Sequence, residues 1–396
     1  MKKINLFNAV VLVFVLMMSQ AHAADPKPVI IGLDADMSSG SAESGEAIKR
    51  GAELAIDEIN KKGGVLGRPF QLIIRDHRGN PARGIDNIEV FSEMKNLLAV
   101  VGGLHTPVAL AELKKIHERS VIYLAPWAAG TPVIKNGFDP NYAFRVSVRD
   151  EYAGGFLVSE AIRLGYKHPG LLLEQTGWGR SNRRAMESAL KERGLAPVSI
   201  QWFLWGVNDL SDQIGKINSA GADVIILVAN APEGVVAVSS VADLPKRNRL
   251  PIISHWGITG GGFFQKARES LLKTELVFLQ TFSFLNPPFP DRATRLFEAY
   301  RKKYPDISSP RDIFSPVGTA HAYDLIHLLS RAVTKAGTTD RQAVRDALEN
   351  LGEYKGLVRD YNPPFTRDNH DALNADDFII ARYGEDGAII PVKSEK

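Results

Sequence analysis

The segment from position 51 to 67 constrains the fold of this chain more than any other. Apolar and small residues recur there at helical spacing, and Gly63 and Gly64 follow, where glycine ends a helix at little steric cost. An apolar run, Val29 to Ala35, precedes the segment, and a second, Phe70 to Arg75, follows it. Strand, helix, glycine turn and strand form a βαβ unit, which predicts a parallel sheet flanked by helices.

The first 23 residues have the pattern of an export signal. Lys2 and Lys3 are followed by an uninterrupted apolar run, Val10 to Met18, which is short for a membrane span, and then by Ala21-His22-Ala23. We therefore expect a signal peptide, residues 1–23, cleaved after Ala23, and export to the periplasm; a retained membrane anchor is the alternative. The chain has no cysteine, so it forms no disulfide and carries no lipoprotein anchor.

Length and charge narrow the class of protein further. The chain of 396 residues is longer than one core usually accommodates, so two lobes are expected. Its formal net charge is only +3, and acidic and basic residues are mixed along its length. Such a surface argues against nucleic acid or an anionic membrane as the partner.

Strand-like and helix-like segments alternate in two successive series, which predicts two parallel sheets with helices on both faces. Extended segments at Tyr142–Val148, near Val277–Phe284 and near Gly356–Tyr361 are interpreted as three crossings between the lobes. The predicted fold is α/β, with two doubly wound lobes joined by a three-crossing hinge. The first lobe is expected to comprise residues 24–146 with 282–356, and the second residues 147–281 with 357–396.

Several motifs carry a resemblance to one family. The most specific is Gly51–Asn60 with the glycine-rich turn after it; the others are Asp76–Pro81, Val100–Gly103 and Thr338–Leu348. Over residues 28–393 the sequence resembles the periplasmic solute-binding proteins of branched-chain amino acid ABC transporters. The resemblance implies a type I periplasmic binding fold that closes on a small solute like a flytrap. It also implies an inner-membrane ABC permease with its ATPase subunits as partners and no catalysis. No cofactor is expected, and the lack of a long exposed apolar stripe in the sequence predicts a monomer.

Ligands of doubly wound sheets bind beyond the carboxyl ends of the strands, so the loops that follow strands of the first lobe are candidate binding loops. Ser44 follows the first strand. Thr106, with His105 before it and Pro107 after it, is predicted to be a helix N-cap, whose free amides and helix dipole suit a carboxylate. Capping alone is the other interpretation of Thr106. The loop that contains Trp127, Ala128 and Ala129 aligns with the family loop that contacts the solute, with core packing as the alternative for Trp127.

The second lobe offers four candidates: Trp178, Asn230, His255 and Trp256. Trp178 has glycine on both sides and is expected to be exposed, closing over the solute. Trp256 stands where the family carries an acid for the ammonium group of an amino acid. The predicted solute is therefore a small carboxylate-bearing molecule, either an amino acid or an aromatic or other organic acid. Glu233 or Asp34 could supply the missing acid.

Patterns typical of enzymes are absent from the sequence. It contains no cysteine nucleophile, no G-x-S-x-G elbow, no P-loop and no H-E-x-x-H metal motif. His321 and His327 are six residues apart and so do not form an i, i+4 metal pair. The predicted function is periplasmic capture of a solute and its delivery to a permease; the alternative is a ligand sensor that signals to a kinase or chemoreceptor.

Overall fold

The structure is a computed structural model that describes residues 27–392. The predicted signal peptide and the cleavage after Ala23 lie outside the described residues. Within residues 27–392, no helix has both the length and the apolarity needed to cross a bilayer.

The first lobe is built on a five-stranded parallel sheet with the strand order β2-β1-β3-β4-β5. Its strands are β1 (Val29–Ala35), β2 (Phe70–Asp76), β3 (Leu97–Gly102), β4 (Ile122–Ala125) and β5 (Ala143–Arg145). β3, β4 and β5 are buried along their whole length. Their apolar sequences are typical of parallel strands covered on both faces.

Helices pack on both sides of this sheet. Between its strands run α1 (Ala42–Lys61), α2 (Pro81–Ser92), α3 (Thr106–Glu118) and the single turn α4 (Thr131–Ile134). Gly51 is required because a Cβ there would lie 2.1 Å from the carbonyl oxygen of Thr319 on a neighbouring helix. Gly63 and Gly64 follow α1 with φ of 97° and 74°, which confirms the predicted glycine ending.

The second lobe contains a seven-stranded sheet with the order β14-β13-β10-β9-β8-β6-β7. Its parallel strands are β6 (Pro169–Glu174), β7 (Ser199–Phe203), β8 (Val224–Val228), β9 (Ile252–Ser254) and β10 (Leu276–Gln280). β13 (Ile379–Tyr383) and β14 (Ile389–Pro391) join one edge antiparallel, so this sheet is mixed. Its helices are α5 (Asp150–Arg163), α6 (Gly177–Lys191), α7 (Ser211–Ser219), α8 (Ala231–Ala242) and α9 (Phe263–Leu271).

After β10 the chain returns to the first lobe. There it forms α10 (Pro290–Lys303), α11 (Pro316–Ala336) and α12 (Arg341–Leu348), followed by the small hairpin β11 (Tyr354–Lys355) and β12 (Asp360–Tyr361). α11 packs along α1. The chain then passes back to β13, so it connects the two lobes three times.

All three predicted crossings contain regular structure, and the third, Gly356–Tyr361, includes the hairpin strand β12. Ala143–Arg145, predicted to be part of a crossing, is the fifth strand of the first sheet, and Leu276–Gln280 is a strand of the second. Two helices, Asp150–Arg163 and Phe263–Leu271, were not predicted. Both carry glycine inside or just before them, which weakens the helical pattern.

A buried ion pair joins two of the segments that connect the lobes. Arg145 and Asp371 are at most 4 % exposed, and the Arg145 Nε donates to Asp371 Oδ1 at 2.5 Å. Backbone hydrogen bonds join the same two segments: Arg145 N donates to His370 O, and Ala372 N donates to Arg145 O, each at 2.9 Å. A second arginine, Arg149, lies 3.5 Å from the other oxygen of Asp371.

We predict that Asp371→Asn lowers the free energy of unfolding by about 3–5 kcal/mol, because it leaves the Arg145 guanidinium buried without its counter-charge. Urea unfolding monitored by circular dichroism measures the change. Asp376→Asn is the matched control, since Asp376 lies in the same region but is exposed. Equal stabilities of the two variants would contradict this account of the connecting segments.

Candidate functional site

The ten predicted site residues lie at the carboxyl ends of strands from both sheets, and all are at most 7 % exposed. Six belong to the first lobe and four to the second: Ser44, His105, Thr106, Trp127, Ala128 and Ala129, then Trp178, Asn230, His255 and Trp256. The expectation that Trp178 is exposed is wrong, since its exposed fraction is 4 %. Groups of its own lobe, Asp150 and His255, cover the Trp178 ring, and the two lobes lie in a closed arrangement.

Contacts between the lobes establish that arrangement. Leu104 of the first lobe packs so tightly on Gly260 of the second that a Cβ at position 260 would lie 2.2 Å from its Cδ1. Thr131 N donates to the Ser181 hydroxyl at 3.3 Å across the cleft. These contacts enclose the side chains between the lobes and separate them from bulk water.

Thr106 differs from its predicted role as a helix cap. The cap is His105, whose carbonyl accepts from the amides of Val108 and Ala109 at 3.1 Å, and Thr106 is the first residue of α3. The Thr106 hydroxyl instead accepts from Gly130 N at 3.1 Å. It acts as acceptor in that bond, so its own hydrogen stays available to a group in the cleft.

The loop after β4 presents further donors. The carbonyls of Ala128 and Gly130 accept from Arg145 Nη1 at 3.1 and 2.9 Å, and Ala129 O accepts from Asp150 N at 2.9 Å. These three carbonyls of the loop therefore have donors within the protein. Among the described residues, the amides of Ala128 and Ala129 have no hydrogen-bond acceptor, although both residues are buried. Buried amides without partners are rare and suit an anionic group.

Aromatic rings meet across the cleft. Trp127 of the first lobe and Trp256 of the second are each 1 % exposed, with ring centroids 5.6 Å apart. His321 on α11 packs on the other side of Trp256 at 5.7 Å, held between Pro126 O and the Thr281 hydroxyl. Within the described residues, Trp127 Nε1 is buried with no acceptor. These rings form an apolar wall that carries one free donor.

Asp150, at the start of α5, is a buried carboxylate of the second lobe that lies beside Trp178 and His255. Its Oδ1 accepts from Trp178 Nε1 at 3.1 Å and lies 3.3 Å from His255 Nε2. The Nδ1 of His255 accepts from Trp256 N, which assigns the ring proton to Nε2, an atom that is buried without a hydrogen-bond partner among the described residues. The Asp150 side chain is fully buried, and its Oδ2 has no hydrogen-bond partner among the described residues.

A second carboxylate, Glu174 at the end of β6, lies behind Asp150. It accepts from Thr176 and from Trp205 Nε1 at 2.6 and 2.9 Å, and from the Asn230 amide at 3.3 Å. Burial raises the pKa of Glu174 to about 7, and the nearby Glu233 adds to the shift. This side of the cleft is therefore acidic, in contrast to the donors of the first lobe.

His105 joins the two halves at the edge of the cleft. Its ring packs against Trp205 of the second lobe at 5.5 Å and against His77 of the first at 5.6 Å. Burial lowers the pKa of His105 to about 4, opposed in part by Asp36, and lowers that of His77 to about 3. Both rings are neutral at pH 7 and act as packing surfaces.

Neither alternative acid named from the sequence matches the position of Asp150. Asp34 is directed into the core of the first lobe, where it accepts from Asn87 at 2.7 Å and contacts Glu112; burial raises its pKa to about 11. Glu233 accepts from Gly206 N at 3.0 Å. Among the described residues, no group of three or more potential metal ligands is arranged to hold an ion.

The sequence interpretation missed Asp150, Glu174, Trp205 and His321 as members of this cluster. Glu174 precedes the glycine-flanked Trp178 and ends an apolar strand, which was a usable signal. Asp150 had none, because it is brought to the cleft only by the path of the chain between the sheets.

Comparison with known proteins now decides the family. The model of the family described as periplasmic binding protein matches residues 28–388. The chain belongs to the periplasmic binding protein family. Members of this family are exported solute-binding proteins, and this family member has the same solute-binding role, as its relatives and structural neighbours indicate.

Individual relatives are similar along most of their length. The Leu/Ile/Val-binding protein homolog 2 of Brucella abortus is 26% identical over 98% of both chains. A type 1 periplasmic binding protein from Bordetella pertussis superimposes with a TM-score of 0.83 at 22% identity, covering 92% of this family member and all of the other chain. An ABC transporter solute-binding protein from R. palustris, solved with 4-hydroxybenzoate, gives 0.78 at 16% identity, covering 93% and 96%. These structures establish the type I fold.

We predict that Glu174 makes the stability of the closed form depend on pH. A carboxyl group whose pKa is raised by folding contributes its stability below its unfolded pKa and loses it as the pH rises through the folded value. Relative to Glu174→Gln, the wild type should lose about 3 kcal/mol between about pH 4.5 and pH 7. Urea unfolding of both proteins over this range measures the difference. A constant difference would show that Glu174 does not titrate there.

Proposed function

We propose that this chain captures an amino acid with a flat or bulky apolar side chain between its lobes and delivers it to an inner-membrane ABC permease. The single observation that carries the proposal is the charge asymmetry of the buried cleft. Free hydrogen-bond donors lie on the first lobe, and a carboxylate oxygen without a partner lies on the second. A zwitterion matches both sides at once.

The anionic end of the solute is assigned to the first lobe. The Thr106 hydroxyl, the amides of Ala128 and Ala129 and the Trp127 indole N–H are four donors without an acceptor among the described residues. The amino end of α3 adds the positive end of its helix dipole. A carboxylate held there accepts charge-assisted hydrogen bonds, which are the stronger kind.

The cationic end is assigned to Asp150. The family acid expected at position 256 is replaced by Trp256, and a buried ammonium without an anion is costly. Asp150 compensates from a different element, because its Oδ2 is buried and unpaired while Trp178 Nε1 donates to its Oδ1. The body of the solute lies against Trp127, Trp178 and Trp256, whose rings favour an apolar or aromatic side chain.

The named properties of similar proteins are consistent with this class of solute. One relative is called a Leu/Ile/Val-binding protein homolog, and one neighbour of the same fold was solved with 4-hydroxybenzoate. Both names indicate small molecules that carry a carboxylate and an apolar part. The proposal has four further parts. The protein delivers its solute to an ABC permease with its ATPase subunits, it is a monomer, it does not catalyse a reaction, and its signal peptide is cleaved after Ala23. We further assign residues 24–146 with 282–356 to the first lobe, and 147–281 with 357–396 to the second, except that the strand Asp360–Tyr361 packs with the first lobe.

Calorimetric titration of the mature protein with phenylalanine, 3-phenylpropionate and 2-phenylethylamine tests the assignment of both ends. These molecules carry both charges, the carboxylate alone and the ammonium alone. Phenylalanine should bind at least about tenfold more tightly than either analogue, since each analogue leaves one buried group unpaired.

Asp150→Asn should weaken phenylalanine binding by about tenfold or more and leave 3-phenylpropionate binding nearly unchanged, because only the ammonium loses its counter-charge. Asp212→Asn, an exposed change in the same lobe, is the control. Tighter binding of 3-phenylpropionate than of phenylalanine would replace the amino acid by an organic acid as the solute. Failure of all three ligands, with leucine and 4-hydroxybenzoate added, would overturn the proposed class.

A further inference from the structure

We propose a second binding site, on the first lobe and separate from the cleft, for an organic anion that carries two or more acidic groups and a planar part. The site is a groove between α1 and α10 with a volume of about 850 Å³. This volume lies in the range of small-molecule sites. Its lining includes no residue of the cleft cluster.

The groove concentrates positive charge. Seven lysine and arginine side chains line it, against two carboxylates, Asp57 and Glu58. The whole chain carries a formal net charge of only +3, so the charge here is not a general property of the surface. An anion that enters the groove meets a strongly positive local potential.

Both carboxylates of the groove already have partners. Asp57 pairs with Lys303 at 2.8 Å. Glu58 pairs with Lys62 at 2.7 Å and accepts from the Tyr323 hydroxyl at 2.5 Å. These bonds hold the pKa of Glu58 well below its usual range, with His327 as the main cause, so the carboxylate stays charged and engaged.

Four other cations have no such partner. Within residues 27–392, Lys61, Arg295, Lys302 and Lys355 form no ion pair with a carboxylate. The helix dipole accounts for Lys61 and Lys302, which lie in the last turns of α1 and α10, but not for Arg295 or Lys355. Arg295 and Lys302 are seven residues apart and therefore share one face of α10, opposite Lys61.

The floor of the groove is aromatic and preformed. Tyr323, His327 and Tyr354 line it, with the rings of Tyr323 and His327 4.5 Å apart. One cation of the wall is also fixed: Arg292 donates to Gly356 O at 2.7 Å and lies over the Phe289 ring at 4.0 Å. A planar group has a surface to lie on, while its acidic groups reach the unpaired cations.

The test uses benzene-1,3,5-tricarboxylate as the probe and the neutral benzene-1,3,5-tricarboxamide as its counterpart. Titration calorimetry of the mature protein at low salt should give saturable binding of the tricarboxylate, weakened by added salt, and no binding of the tricarboxamide. Arg295→Glu with Lys302→Glu should weaken tricarboxylate binding by about tenfold or more, because two attractive charges become repulsive.

Lys191→Glu with Lys273→Glu is the matched control, since both lysines are exposed and lie in the second lobe. This pair makes the same change in net charge and should leave tricarboxylate binding unchanged. Equal losses in the two double variants, or no saturable binding to the wild type, would overturn the proposal. A tricarboxylate bound in the cleft would be retained by both double variants, which would also overturn it. Should the double variant fail to fold, Lys302→Glu alone is measured against Lys273→Glu.

Discussion

The site and the connection between the lobes both depend on the interactions of one buried side chain, Arg145. Its guanidinium is fully buried and binds Asp371 of the last connecting segment together with the carbonyls of Ala128 and Gly130. Removing an arginine from water is expensive, and the ion pair with several hydrogen bonds offsets that cost. By binding those carbonyls, Arg145 fixes the loop whose Ala128 and Ala129 amides have no acceptor among the described residues. One side chain thus couples the connecting segments to the surface that we propose faces the solute.

The two lobes contribute unlike chemistry. The first supplies donors from a helix start and a loop, and the second supplies carboxylates that accept from tryptophan N–H groups. Each surface has polar atoms without hydrogen-bond partners, and burying such atoms costs free energy. A solute that pairs with both surfaces favours the closed arrangement over an open one. This is the physical basis on which a two-lobed protein converts binding into a change of shape.

Much of the fold could be predicted from the sequence, because periodicity and glycine positions are local signals. The helix within positions 51–67 and its ending at Gly63 and Gly64 were predicted and are present in the structure. The helix Asp150–Arg163 was missed since Gly154 interrupts its pattern; a Cβ at that position would lie 2.6 Å from Ala185. The glycine is needed for helix packing, which is a tertiary requirement that sequence patterns do not display.

The incorrect predictions at the site also arose from tertiary contacts that the sequence does not display. Thr106 was predicted to cap its helix because proline follows it, but its hydroxyl bonds a loop 24 residues away. Asp150 lies 105 residues before His255, and only the passage of the chain between the sheets brings them together. The family resemblance pointed to loops, whereas the carboxylates Asp150 and Glu174 depend on contacts between segments that are distant in the sequence.

Closure of the lobes on a solute is the central claim, and a distance measured across the cleft tests it most directly. The chain has no cysteine, so Lys114→Cys on α3 and Arg184→Cys on α6, both exposed, can be spin-labelled without competing sites. Pulsed dipolar spectroscopy should give a long, broad distance distribution without solute and a single shorter one with saturating phenylalanine, or with whichever solute binds by calorimetry. An identical distribution in both samples, with calorimetric binding demonstrated, would contradict capture by closure.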